Sequence, residues 1–139
     1  MELLKLSDSE LYQRCRQYGM LALLARRKFA GLLPEVKRRE LYRRRGFASI
    51  HEFAAKLSGM SAESVDRVLQ IARRLEDKPL LRERFEAGSQ AWSKFKTVAY
   101  IATPETDKFW AEKLDTLPRP ALEALVKSVP RDIPENKQE

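Results

Sequence analysis

Leu11, Cys15, Tyr18, Ala22, Ala25, Phe29, Leu32 and Val36 follow one another in steps of four and three residues. A helix repeats every ~3.6 residues, so this spacing lines eight side chains along one face; a strand would scatter them over two. The chain therefore begins with a long helix spanning nearly all of residues 11 to 36. Ser7, followed by Glu10, is the capping box that opens it. Two covers for the stripe stay open: a second chain, as in a coiled coil, or the core of the helix's own domain. Leu21 and Leu24 widen the stripe, which favours burial on two sides or a partner chain. A homodimer through the Leu11–Val36 stripe is one expected partnership.

The remainder also reads as helices, because alternating apolar and polar runs between hairpin turns are absent. Pro34 should kink or interrupt the first helix, since it lacks an N–H and crowds the carbonyl of Ala30. The piece after it runs to Gly46, which suits a left-handed cap. Ser49 with Glu52 opens the next helix, Gly59 ends it, and Ser61 caps a third. Pro79, Thr103-Pro104 and Pro120 mark three later helix starts, and Gly88 an end. The expectation is an all-α fold of seven or eight helices. Residues 1–129 form a single compact multi-helix domain, and the polar, proline-rich residues 130–139 form a disordered tail. Trp92, Phe95, Tyr100, Phe109 and Trp110 fall at helical spacing and read as core.

No run of ~18 apolar residues exists, so no membrane partner is expected. The start "MELLKLSDSE" lacks the basic-then-apolar plan of a signal peptide, and the expected location is cytoplasmic, at the nucleoid if DNA is bound. Cys15 is the only cysteine and reads as a small buried hydrophobe.

The chain carries 27 Lys and Arg against 20 Asp and Glu. Arg26, Arg27, Lys28, Lys37, Arg38, Arg39, Arg43, Arg44 and Arg45 face only Glu35 and Glu40 within residues 26 to 45. That window holds the whole net charge of +7. A positive field so focused points to an anionic partner, double-stranded DNA first and an acidic protein second. On one continuous helix the six cations of 37–45 would surround the axis, so some of their stems should lie over apolar surface. A solvated helix end explains part of this cluster, and phosphate binding accounts for more of it.

Residues 49–75 follow the helix–turn–helix plan: a short helix, the turn "SGMS", then an amphipathic helix that can enter a major groove. Phe53, Ala54 and Leu57 should face inward from the first helix, and Val65, Val68, Ala72 and Leu75 from the second. Ser61, Ser64, Arg67, Gln70, Arg73 and Arg74 are then the DNA-facing candidates, with Glu63 and Asp66 among them as repulsive charges. Two ordinary bundle helices joined by a glycine would share this pattern.

"RRELYRRRGFASIHEF", the "GMS" turn and "VAYIATPET" resemble the helical N-terminal region that precedes the nuclease domain in bacterial HNH endonucleases. The likeness covers roughly residues 6 to 129. The central part, through "FEAG", also resembles the DNA-binding region of ParB-type partition proteins. The resemblance implies an all-helical DNA-associating module, and it does not imply cleavage. An HNH unit needs two histidines and an asparagine, whereas His51 is the only histidine here and Asn136, the only asparagine, sits in the tail.

His51 reads as a surface or satisfied structural residue. There is no nucleophile–base pair, phosphate loop or metal-ligand spacing. The expected function is therefore a non-catalytic DNA-binding protein with no cofactor and no metal. The alternative is a helical interaction module docking an acidic partner.

Overall fold

A computed structural model describes residues 2–130, so nearly all of the expected tail, and Met1, lie outside the described residues. Among these residues there are eight α-helices and no strand. The architecture is all-α, as the sequence predicts. The helices are α1 (Asp8–Arg39), α2 (Leu41–Arg44), α3 (Ile50–Ser58), α4 (Ala62–Arg74), α5 (Pro79–Ala87), α6 (Trp92–Ala99), α7 (Asp107–Thr116) and α8 (Arg119–Ser128).

Local chemistry explains the boundaries. At the start of α1 the Ser7 hydroxyl accepts from the Glu10 N–H, and the Glu10 carboxylate accepts from the Ser7 N–H. Both halves of the capping box are present. Ser49 accepts from Glu52 N–H, but Glu52 reaches back one residue further, to Ala48 N–H, at 2.7 Å. Ser61 caps α4 by accepting from Ser64 N–H. The expected interruption at Pro34 does not occur. The ring sits inside α1, and the helix continues to Arg39. It ends at Glu40, whose φ of 52° is left-handed, an unusual conformation for a side-chain-bearing residue.

α1 divides into two parts. From Phe29 onward it belongs to the domain: Ala30, Gly31 and Leu33 are buried, and Phe29 and Val36 pack against the core. Phe29 stacks on Phe53 of α3. Against α5 the approach is closest at Gly31, where an added Cβ would lie 2.6 Å from the Glu86 carbonyl oxygen. A methyl group there would force the two backbones apart. Residues 8 to 28 instead form an arm of about five turns, with no residue buried. Over this arm the stripe does not lie along the domain's core. Leu11, Tyr18 and Leu21 are exposed, and Cys15, expected inside, is exposed too.

Beyond the arm, one core joins all the longer helices. Leu33, Leu75, Leu81, Phe95, Leu114 and Leu122 are fully buried, each such side chain contributing about 1.5–3 kcal/mol relative to exposure. Phe85 meets Phe95 edge-on at 5.2 Å, tying α5 to α6. Of the five aromatics expected inside, Phe95 and Trp110 are buried and Trp92 is half-buried, but Tyr100 and Phe109 are exposed. Tyr100 instead supports the Arg74 guanidinium, 3.9 Å above its ring.

Candidate nucleic-acid interface

The pair α3–α4 is held as a unit. Phe53 and Ala54 of α3 are buried, as are Val65, Val68, Ile71 and Ala72 of α4. Leu57 is the exception, at 57% exposure. The chain turns back at Gly59, Met60 N–H bonds to the Ala54 carbonyl, and Met60 takes the buried place beneath the turn. On the outside, His51 Nε2 lies 2.7 Å from Asp66 Oδ1, bridging the two helices.

Every polar residue of α4 assigned to solvent is at least partly there: Glu63, Asp66, Arg67, Gln70, Arg73 and Arg74 are exposed, and Ser64 is half-buried. Residues 63, 66, 67, 70, 73 and 74 recur at three- and four-residue steps, so they share one continuous outer face. Their chemistry is uneven. Ser61 and Ser64 are occupied with each other, Oγ to Oγ at 3.1 Å, in the cap. Arg67 lies 3.8 Å from Glu63, a loose exposed pair worth little in water. Arg74 is committed to Tyr100. Asp66, the other carboxylate on this face, is engaged by His51.

The nine cations of the basic window separate into three groups. Arg26, Arg27 and Lys28 stand at the base of the arm, roughly 15 Å along the helix from Lys37–Arg39. Lys28 there runs against the turn at Gly88, where φ is 70° and a Cβ would meet Lys28 Cα at 2.7 Å. The second group, Lys37, Arg38 and Arg39, occupies the last turn of α1. The third, Arg43, Arg44 and Arg45, lies in α2 and its cap.

The left-handed Glu40 explains how groups two and three both reach water. Residues 37–45 are not one continuous helix, so the cations are not forced around a single axis, and all six side chains are exposed. Leu41 and Tyr42 turn partly inward instead. Lys37 and Arg38 still lie beside apolar residues, Ala72 and Pro34 among them, with their heads in solvent or on a carboxylate.

The second group also meets α4. Lys37 and Arg73 line one small cleft, of about 80 Å³, together with Pro34, Leu69, Ala72 and Glu76. Lys37 is thereby placed beside the C-terminal half of the α4 outer face. Carboxylates already hold part of the group. Glu35 bonds Arg38 and Arg39 at once, the latter at 2.6 Å. These guanidiniums lower its carboxyl from the ordinary range to about 2. The sign follows: the pairing is complete above the ordinary value of 4.5 and is lost as pH falls towards 2. Glu40 lies 3.9 Å from Arg43. Lys37, Arg44, Arg45 and Arg73 have no ion-pair partner among the described residues.

Replacing Glu35 by glutamine releases Arg38 and Arg39 without altering helix length. The expected result is tighter duplex binding with a salt slope steeper by as much as ~1.8, for two further phosphate contacts. Anisotropy titrations of both proteins over a salt series would check it, and an unchanged slope would leave those arginines out of the interface.

No helix among the described residues is long and apolar enough to cross a membrane. Comparison with protein-family models, curated proteins and solved structures returns no match for this chain.

Proposed function

We propose that the chain binds double-stranded DNA without cleaving it. The observation that carries this reading is a juxtaposition. The outer face of α4 is open along its length, and its C-terminal half adjoins a run of exposed cations continuing from Lys37 through Arg45. In this reading Lys37 and Arg43–Arg45 contact phosphates, giving affinity that ignores sequence. Arg67, Gln70 and Arg73 lie in the major groove, where Arg reads guanine and Gln reads adenine by paired hydrogen bonds. Ser61 and Ser64 hold the helix start and leave recognition to those three side chains. The resemblance to the helical region that precedes HNH nuclease domains, and to ParB-type DNA-binding regions, supports the same reading.

The testing experiment is anisotropy of a labelled random-sequence duplex from low to physiological salt. Micromolar binding that weakens steeply with salt is expected, with a slope of about −0.9 per phosphate contact. Absence of binding at low salt would overturn the proposal. Arg67→Ala is expected to change sequence preference in a site-selection experiment, at about 1–3 kcal/mol for the base that it reads. Uniform weakening across sequences would instead make Arg67 a backbone contact.

A further inference from the structure

The arm of α1 presents a surface that a lone helix in water does not need. Leu11 is 44% exposed, Tyr18 62% and Leu21 55%, and all three belong to one chain of apolar positions. The same stripe runs on to Leu32, 60% exposed where α1 joins the domain. Most helices draw their stability from packing an apolar face, and continuous exposed apolar surface marks a place where something docks. Residues 8 to 28 extend roughly 31 Å. Half the wall of a helix about 10 Å across over that length is on the order of 490 Å² per chain, about 1,000 Å² for a pair, the least that a specific interface buries.

Charge selects the occupant. Asp8 and Glu10 open the arm, Arg14 and Arg16 follow them, and Arg26, Arg27 and Lys28 close it. Asp8 and Arg26 are eighteen residues apart in sequence, five turns at ~3.6 residues each, so they share one flank of the stripe. Glu10 and Lys28 are spaced identically and share the other flank. In an antiparallel pair related by a two-fold axis, like flanks face each other and opposite ends meet. Both acidic residues then face basic ones. A parallel pair would set acid against acid and base against base.

We infer that the arm pairs antiparallel with the arm of a second copy of this chain, about a two-fold axis near Tyr18. The midpoint of Asp8 and Arg26 is Gln17 and that of Glu10 and Lys28 is Gly19, one residue to either side of that axis. The axis also brings the second copy's Leu3 and Leu4, 58% and fully exposed in the single chain, towards Leu32. Two domains would thus stand at opposite ends of a short rod. Arg26 and Lys28 serve assembly in this arrangement, and Lys37–Arg45 remain open.

The inference is independent of the DNA reading and is tested without nucleic acid. Sedimentation equilibrium of the full chain, with reductant present, should give twice the chain mass of 16.1 kDa. A monomer at tens of micromolar, or an assembly larger than two, would overturn it. Tyr18→Glu with Ala22→Glu should yield a monomer whose domain melts as before, because neither side chain touches the core. A dimer that survives both substitutions is not held by the arm.

Orientation is read separately. Arg26→Glu should weaken the dimer about tenfold at low salt, since two exposed pairs per dimer change from attraction to repulsion. Adding Asp8→Lys should restore it. A dimer indifferent to Arg26→Glu would contradict the antiparallel arrangement.

Discussion

Replacing Arg43, Arg44 and Arg45 together by alanine should lower affinity for every duplex alike, by on the order of a hundredfold or more at ~0.1 M salt, and flatten the salt slope by ~2.7. The figure follows from three phosphate contacts at ~0.9 released counterions each. The fold should be untouched. All three side chains are exposed, and it is Tyr42 of α2, not its arginines, that packs against the core. Phe47, just beyond, packs edge-on against Phe53 at 5.2 Å and fixes the approach to α3. Anisotropy over a salt series measures both affinity and slope, and thermal melting shows that the domain is intact. A triple variant that binds less well but keeps the parent slope would mean that these arginines do not contact phosphates. One that binds equally well would remove α2 from the interface.

What could be read in advance divides by the range of the interaction responsible. Capping is local, and so Ser7, Ser49, Ser61 and Thr103 marked helix starts from three-residue spacings alone. The buried face of α4 was legible for a similar reason: Val65, Val68, Ala72 and Leu75 repeat with the period of the helix that contains them. Glu40 was not legible. A left-handed residue without the glycine that usually signals one leaves no trace in composition, and the expectation went to Gly46, which has a φ of 89° as well. Pro34 misled because a proline costs a helix one hydrogen bond and some crowding, which packing on both sides can offset; Leu33 beside it is fully buried.

The stripe shows a different limit. Periodicity states that a face is apolar and is silent about what covers it, so the same eight residues fitted a partner chain and a domain core. In the structure Phe29 and Val36 pack against the core, while the stripe from Leu11 to Ala25, and Leu32, stay exposed in the single chain. For the candidate interface, Glu35 holds Arg38 and Arg39 across three- and four-residue spacings, a pairing local enough to read in the sequence. That Tyr100 holds Arg74 depends on side chains meeting in space.

Asp107 is the residue that sequence reasoning passed over altogether, and its replacement by alanine should be the most costly change among the exposed-looking charged positions of the sequence. It resembles an ordinary acidic residue in the first turn of α7. Yet it is buried at 4% exposure, and its two oxygens accept from Leu80 N–H at 2.8 Å and Leu81 N–H at 3.0 Å. It therefore caps α5 from 26 and 27 residues away. Lys78, at the N-cap position, makes no side-chain cap bond there, and Pro79 has no N–H to satisfy. Asp107→Ala leaves two donors at the α5 start without a partner, one of them buried, and removes a negative charge from a helix N-terminus. Losing charge-assisted bonds of this kind costs about 3 kcal/mol, and the macrodipole adds a smaller loss in the same direction. Asp107→Asn keeps one acceptor in nearly the same place and should lose less than half as much. Chemical denaturation of the three proteins gives the comparison directly. If alanine and asparagine were equally damaging, charge at the helix start would be the dominant contribution; if neither mattered, α5 would be held by Leu81 and Phe85 alone.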